Sequence, residues 1–275
     1  MTISHEPTPG TAHWVLAHPR PTSFNARLFR DGVAELSRTR SVATSDLYAQ
    51  GFDPVFPDSE LDVTLGRASG PAGGEYGRAP FPDDVIEEQR KLAAAELLVL
   101  QFPLWWYGPP AILKGWIDRV FTNGFAYGDM DPELGVPRRY GDGGLTGRRA
   151  LVVVTVGEDE RSIGERGISG DLDSLLFPLT HGALWYVGIE TLDLHVVYDA
   201  DGLDAAGVDR EAERLRVRIA GLDSETPLRY RALRDGDYRG TRSLRSDIHP
   251  GRTDFGIHFA DGPRSQAHAG GAGGG

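Results

Sequence analysis

Two loops of this chain carry side chains that can do chemistry, and each lies between an apolar run and a helical pattern. The first, His18-Pro-Arg-Pro-Thr-Ser-Phe-Asn25, gathers an imidazole, two hydroxyls and an amide directly after the run His13-Trp-Val-Leu-Ala-His18. A polar loop feeding a helix N-terminus is a ready anion site, because unpaired N–H groups and the helix dipole point at it. Thr22, Ser23 and Asn25 each add a side-chain donor, although Ser23 or Thr22 capping the helix explains those hydroxyls equally well. The second loop, Pro103-Leu-Trp-Trp-Tyr-Gly108, sets Trp105, Trp106 and Tyr107 side by side, and Phe121, Phe125 and Tyr127 follow one helix later. An apolar strand that ends in an aromatic loop makes a flat ledge suited to a planar ring.

Elements that hold these loops can be read from periodicity. Short strands are expected at His13–His18, Ser41–Leu47, Leu97–Phe102, Arg149–Val156 and Gly188–Val197. Helices are expected up to Leu36, over Asp83–Ala95 and Pro109–Val120, over Asp171–Trp185 with a kink at Pro178, and over Ala205–Leu222 with its arginines outward. This alternation implies an α/β fold: a five-stranded parallel sheet with helices on both faces. Ligands of such sheets bind beyond the carboxyl ends of the strands, where both loops lie. Asp53–Phe81 shows no sustained period and reads as a long excursion, with Gly66–Pro82 rich in glycine and proline. Residues 1–10 read as a disordered tail, 11–223 as the domain, 224–264 as an irregular C-terminal extension packing on the domain or a partner, and 265–275 as a second disordered tail.

Composition narrows the function. A formal charge of -11 over 275 residues argues against a nucleic-acid partner. No apolar run approaches the roughly 20 residues that span a bilayer, and the start lacks a basic-then-apolar signal, so a cytoplasmic location without an integral membrane segment is expected. Cysteine is absent, which excludes disulfides and thiolate chemistry. There is no G-x-G-x-x-G after the first strand, no P-loop, no G-x-S-x-G and no metal-ligand spacing. What remains is a phosphate cradle beside an apolar wall, the two things a flavin needs.

The stretch FPLWWYGPPAILKGWIDRVFTNGFAYG resembles the core signature of the flavodoxin-like NAD(P)H:quinone reductases, in their larger FAD-dependent branch. LAHPRPTSFN, SDLYAQGFDP, GISGDLDSLLFPLTHGALWYVGIE and DSETPLRY extend the likeness over roughly residues 13–231. The resemblance implies bound FAD, NAD(P)H as co-substrate, a small-molecule acceptor, and a homodimer with active sites at its interface. The implied chemistry is ping-pong hydride transfer to a quinone or a similar electron-poor acceptor. By the same resemblance, His18, Thr22, Phe24 and Asn25 hold the pyrophosphate and ribityl region. Pro103, Leu104, Trp105, Trp106 and Tyr107 line the isoalloxazine; Thr155, Val156 and Gly157 reach its pyrimidine side. Tyr127 is offered to the substrate pocket across the interface, and Arg210 stands near the adenosine end. Trp116, Ile117 and Val120 are read as core, His181 and His195 as structural, Lys114 as a surface side chain and Asp118 as either a solvated or an adenine-side carboxylate.

One loop departs from the family. In mammalian-type quinone reductases the loop after the fourth strand begins Gly-Gly and supplies a Tyr and a His that neutralise charge developing on the flavin. Aligned without a gap, the second Gly falls on Glu158, the Tyr on Ile163 and the His on Ser169. Isoleucine donates no hydrogen bond and serine carries no proton at neutral pH, so the usual relay is missing. Stabilisation by backbone N–H groups, Ser169 and a cation such as Arg161 or Arg166, or redirection to a non-quinone acceptor, are the two expectations that follow. A flavin-binding redox-sensing subunit with little turnover is the alternative from another functional class.

Overall fold

The computed structural model describes residues 7–64, 81–240 and 242–262. Most of the Gly66–Pro82 stretch and of both expected tails lies outside the described residues. The elements run β1 (Thr11–Leu16), α1 (Phe24–Leu36), β2 (Ser41–Asp46), α2 (Asp58–Thr64), α3 (Asp83–Ala94), β3 (Leu97–Pro103) and α4 (Ala111–Val120). After a small hairpin of β4 (Met130–Asp131) and β5 (Val136–Pro137) come β6 (Arg149–Thr155), α5 (Leu172–Leu179), β7 (Glu190–Thr191), β8 (His195–Val197) and α6 (Ala205–Gly221).

The main sheet is parallel in the order β2-β1-β3-β6, with β7 and β8 both pairing the outer edge of β6. β1, β3 and β6 are covered on both faces, which is why they read as nearly unbroken apolar runs. Alternate residues divide between two cores. Val15, Leu98, Leu100, Phe102, Val152 and Val154 face α3, α4 and α5, while Trp14, Leu97, Val99, Leu151 and Val153 face α1 and α6. Trp116, Ile117 and Val120 lie in the first of these cores, as their helical spacing implies. So do Phe121 and Phe125, which therefore contribute nothing to the aromatic ledge.

Four local differences separate the structure from the sequence reading. The fifth strand is split: Thr191 pairs with Ala150 and His195 with Val153, so three edge residues stand opposite two of β6 and the strand bulges. The helix after Asp171 passes from α-helical to π-helical at Thr180–Trp185, just beyond Pro178, which lacks the N–H needed to continue the α ladder. Within the stretch expected to be irregular, α2 forms because Glu60 is drawn to the buried Arg119 guanidinium at 2.7 Å. Not all of the α6 arginines point outward: Arg214 donates to the Val196 carbonyl and Arg218 reaches Glu225 at 2.9 Å.

Beyond α6 two further short strands, β9 (Tyr238–Arg239) and β10 (Ser243–Leu244), form a hairpin. Leu228, Tyr230 and Phe259 of this segment share a cluster with Phe177 and Trp185, and the Tyr230 hydroxyl donates to Thr180 Oγ1 at 2.8 Å. His181 is enclosed there, stacked between Phe177 and Tyr140.

Three buried histidines set an acid limit on this packing. Burial lowers the His13 pKa to about 4 and the His181 pKa to about 3; burial also pushes His195 well down, helped by Arg214 and Arg218. In the unfolded chain these imidazoles take protons near the ordinary 6.5, so the folded state refuses protons that the unfolded state accepts. Their stabilisation is complete above pH 6.5 and is lost as pH falls towards 4, by up to about 1.4 kcal/mol per pH unit for each histidine. Urea midpoints measured from pH 7 to pH 4.5 should fall steadily, and less steeply in His195→Leu; a flat profile contradicts the burial of neutral imidazoles.

Candidate active site

A cleft of about 620 Å³ opens at the carboxyl ends of β1, β3 and β6. On its β1 side, Ser23 caps α1 by accepting from the Ala26 amide at 3.1 Å, so the capping reading of Ser23 is realised. The Phe24 and Asn25 amides of the first turn have no acceptor among the described residues, and they face the loop as free donors. His18 is fixed in one orientation: its Nδ1 accepts from the Arg20 amide at 3.1 Å. In the neutral ring this leaves the proton on Nε2, and burial favours that neutral form by lowering the pKa. Helix N–H groups, a histidine N–H and the Arg20 guanidinium thus meet on one wall, an arrangement that attracts anionic oxygen.

The floor between β1 and β6 is held by buried hydrogen bonds. The Asn25 amide donates to Thr155 Oγ1 at 2.8 Å, and the Gln101 side chain donates to the Asn25 carbonyl at 2.7 Å while accepting from Trp14 Nε1 at 3.0 Å. The Asn25 and Thr155 side chains are therefore bonded to each other, and much of their polar capacity goes to joining the loop to β6. Gln101, fully buried in an otherwise apolar strand, is the residue that sequence reading missed; one polar letter within LLVLQFP is its signal.

The aromatic loop is a two-residue turn. Trp105 and Gly108 exchange backbone hydrogen bonds at 3.1 Å, and both central residues have positive φ, 49° at Trp106 and 62° at Tyr107. Such mirror-image turns normally carry Asn-Gly, because an L side chain there is strained by about 1–2 kcal/mol. Here the strained positions hold two large rings, and Trp106 is 96% exposed. Trp106→Gly should raise thermal stability, by about 1 kcal/mol, and should weaken binding of a planar ligand in the cleft. Parallel melting and titration curves check both signs; a destabilised variant with unchanged affinity contradicts this reading.

Opposite stands the loop after β6. Gly157 lies against Asp201, whose carboxylate oxygen would be 2.9 Å from an added Cβ. The amides of Gly157 and Glu158 have no acceptor among the described residues. Ile163 is buried and offers the cleft only hydrocarbon. Asp159 anchors the loop by accepting from the Arg161 and Ser162 amides, and the Arg161 guanidinium beside it holds its carboxyl down to about 2. Arg161 is therefore committed to Asp159, and neither it nor Arg166 lines the cleft. Ser169 returns to meet Glu158, donating to Oε2 at 2.8 Å, and Tyr107 donates to Oε1 at 3.1 Å.

Residues 11–219 match the family model described as a flavodoxin-like fold. The chain belongs to that family. It is homologous to NAD(P)H dehydrogenases of the quinone type, and the likeness is long on both sides. It is 38% identical over 259 residues to a ribosyldihydronicotinamide dehydrogenase-like protein of Penicillium crustosum, covering 89% of this chain and 93% of the relative. Identity to NAD(P)H dehydrogenase [quinone] 1 of Cavia porcellus is 35% over 228 residues, 78% of each chain. Among solved structures, a crystal structure of a putative quinone reductase from Klebsiella pneumoniae superposes with a TM-score of 0.81 at 33% identity, covering 91% of this chain and 99% of that one.

Within this flavodoxin-like chain, His18, Phe24, Asn25, Pro103, Leu104, Trp105, Trp106, Tyr107, Thr155, Val156, Gly157, Glu158 and Ile163 are brought together around the cleft. Four expected site residues do not line it. Thr22 is exposed on the loop, and Arg210 is exposed on α6. Tyr127 is half-buried edge-on to Tyr186, and Ser169 stands behind Glu158. Lys114 and Asp118 pair with each other at 2.6 Å on the exposed side of α4. Arg20, Ser23, Ala200 and Asp201 line the cleft although sequence reading assigned them no part in it beyond a cap or donor role for Ser23.

Proposed function

We propose that this protein is an FAD-dependent NAD(P)H oxidoreductase that reduces a quinone, or a similar electron-poor aromatic acceptor, by two electrons in a ping-pong cycle. The observation that carries the reading is the pairing, in one cleft, of free helix N–H groups with a strained aromatic turn. The first suits a pyrophosphate and the second suits a flat ring, and a flavin dinucleotide has both. When bound, the flavin supplies a ring that accepts and returns hydride.

This chain's own residues do the rest. The Phe24 and Asn25 amides, His18 Nε2–H and Arg20 would hold the phosphates; Leu104, Trp105 and Ile163 would pack on the ring and exclude water. The Gly157 and Glu158 amides would face its polar edge, where negative charge is best stabilised by donors already fixed in place. Tyr127, outside its own chain's cleft, fits a role across the interface of a homodimer. The likeness to the quinone-type dehydrogenases extends NAD(P)H use and a quinone acceptor to this chain. Among the described residues no helix is long and apolar enough to cross a membrane, in keeping with a small acceptor met in water.

Mass and spectrum of the cofactor released from purified protein test the FAD assignment; FMN, or no flavin, contradicts it. Menadione reduction with NADPH by the wild type and by Ser169→His then separates acceptor classes. Turnover in both supports a quinone reductase, whereas turnover only in the variant indicates that Ser169 belongs to a site shaped for another acceptor.

A further inference from the structure

Glu158 enters the cleft as a carboxylate held from two sides. Tyr107 donates to its Oε1 at 3.1 Å, and Ser169 donates to its Oε2 at 2.8 Å. The two hydroxyl oxygens are themselves 3.1 Å apart. Each hydroxyl has one proton, so two protons serve three contacts and neither is left over for a ligand. What the group presents to the cleft is therefore lone pairs and negative charge. Bonds from a hydroxyl to a carboxylate are of the stronger, charge-assisted kind, so this charge is kept in place.

The backbone fixes both donors. Tyr107 sits at positive φ in the strained aromatic turn, and strain of this kind gathers where geometry serves function. The loop bearing Ser169 is closed by its N–H on the Ser162 carbonyl at 3.1 Å, and Gly167 packs so tightly that a Cβ would come 2.1 Å from that same oxygen. Around the carboxylate, the cleft supplies no counter-charge among the described residues. Ile163 offers hydrocarbon, Arg161 is paired with Asp159, and Asp201 adds a second carboxylate against Gly157. Arg20 stands on the β1 loop, beside the free α1 amides that suit phosphate. The cleft is thus polarised, with donors for an anion at its β1 end and a fixed anion at its β6 end.

We propose that Glu158 is a specificity-determining residue for the acceptor, turning away electron-poor aromatics with an anionic substituent and favouring those with a cationic or hydrogen-bond-donating one. The proposal rests on the reductase reading above. Selection of this sort works through repulsion of the wrong ligand as much as attraction of the right one. A ring sulfonate or carboxylate meets a like charge that cannot swing away, whereas an ammonium or hydroxyl meets unused lone pairs. In a partly open cleft, two unit charges a few ångströms apart change affinity by about tenfold. The side chain at residue 158, which appears in sequence only as a departure from Gly-Gly, thereby acquires a chemical consequence.

Three quinones of one ring system test this: menadione, a naphthoquinone sulfonate and a naphthoquinone bearing a trimethylammonium group. Their kcat/KM values are compared between wild type and Glu158→Gln, so that the intrinsic reactivity of each quinone cancels. The preference for the cationic over the anionic quinone should fall at least about tenfold in the variant, and in the wild type it should narrow as salt is raised. Asp201→Asn should keep most of the preference. Equal ratios in wild type and Glu158→Gln overturn the proposal, as does a preference lost in Asp201→Asn alone. A wild type that reduces none of the three strikes the reductase reading instead. Dissociation constants of the same quinones, from quenching of tryptophan fluorescence by ligand beside Trp105 and Trp106, then decide the proposal separately. Tighter binding of the cation that Glu158→Gln abolishes sustains it, and equal binding of cation and anion overturns it.

Discussion

Gln101→Leu should destabilise the protein by about 1–3 kcal/mol and should weaken the cleft's hold on its cofactor, although it makes β3 uniformly apolar. The substitution nearly preserves volume, so packing is not the cause. Gln101 is fully buried and serves two partners, accepting from Trp14 Nε1 at 3.0 Å and donating to the Asn25 carbonyl at 2.7 Å. Leucine leaves the Trp14 indole N–H without a partner in a dry interior, which costs about 1–3 kcal/mol, and takes from the Asn25 carbonyl its bond across to β3, leaving it only the bond within α1. The orphaned indole lies under α1 and the lost bond ties its first turn to β3, so the Ser23–Asn25 end of the cleft loosens along with the fold. Chemical denaturation and equilibrium dialysis against flavin check the two effects together. Full stability with full cofactor retention contradicts the role given to Gln101.

Glu88→Leu should cost about 3–5 kcal/mol but leave the cleft intact in the fraction that folds. Glu88 projects from α3 onto β1 and β2, accepting from Trp116 Nε1 at 2.8 Å, from Ser45 Oγ at 2.8 Å and from Lys91 at 2.7 Å, with His13 Nε2 at 3.5 Å. Burial works against its charge; His13, Lys91, Trp116 and Ser45 together outweigh burial and hold its carboxyl below the ordinary value. Ser45, His13 and Glu88 suggest a nucleophile with its base, yet all three are buried and none lines the cleft. Ser45 gives its single hydroxyl proton to the glutamate and can only accept from His13 Nε2, so the imidazole is no base for it and the group is a brace for the sheet. Glu88→Gln keeps an acceptor and should cost less than leucine. Denaturant titration ranks the variants, and a cofactor affinity that falls in Glu88→Gln without loss of stability contradicts this separation of brace and site.

How far the sequence could be read depended on whether the cause of each feature was local. The β3–Pro103–α4 unit was legible because an apolar run, a proline and a helical period follow in order, and both cleft loops were legible because strand ends are where parallel sheets bind ligands. Phe121 and Phe125 looked like more of the ledge, but the chain turns inward after Val120 and the core takes them. α2 was hidden because its reason, Arg119, is an ion-pair partner 59 positions away. The interrupted fifth strand was hidden because a one-residue bulge leaves apolar character unchanged. Glu158 and Ser169 appeared in sequence only as departures from a family pattern. That the two departures bond to one another, and to Tyr107, depends on turns at Asp159 and Gly167 that no periodicity reveals.

A reductase of this kind needs a cleft that holds a flavin which nicotinamide can reduce. Purified protein, loaded with FAD and mixed anaerobically with NADPH in a stopped-flow instrument, should lose its visible flavin absorbance rapidly and completely, and regain it on addition of menadione. Protein that binds flavin yet stays yellow with both NADPH and NADH contradicts the reductase reading and leaves a flavin-binding sensor in its place.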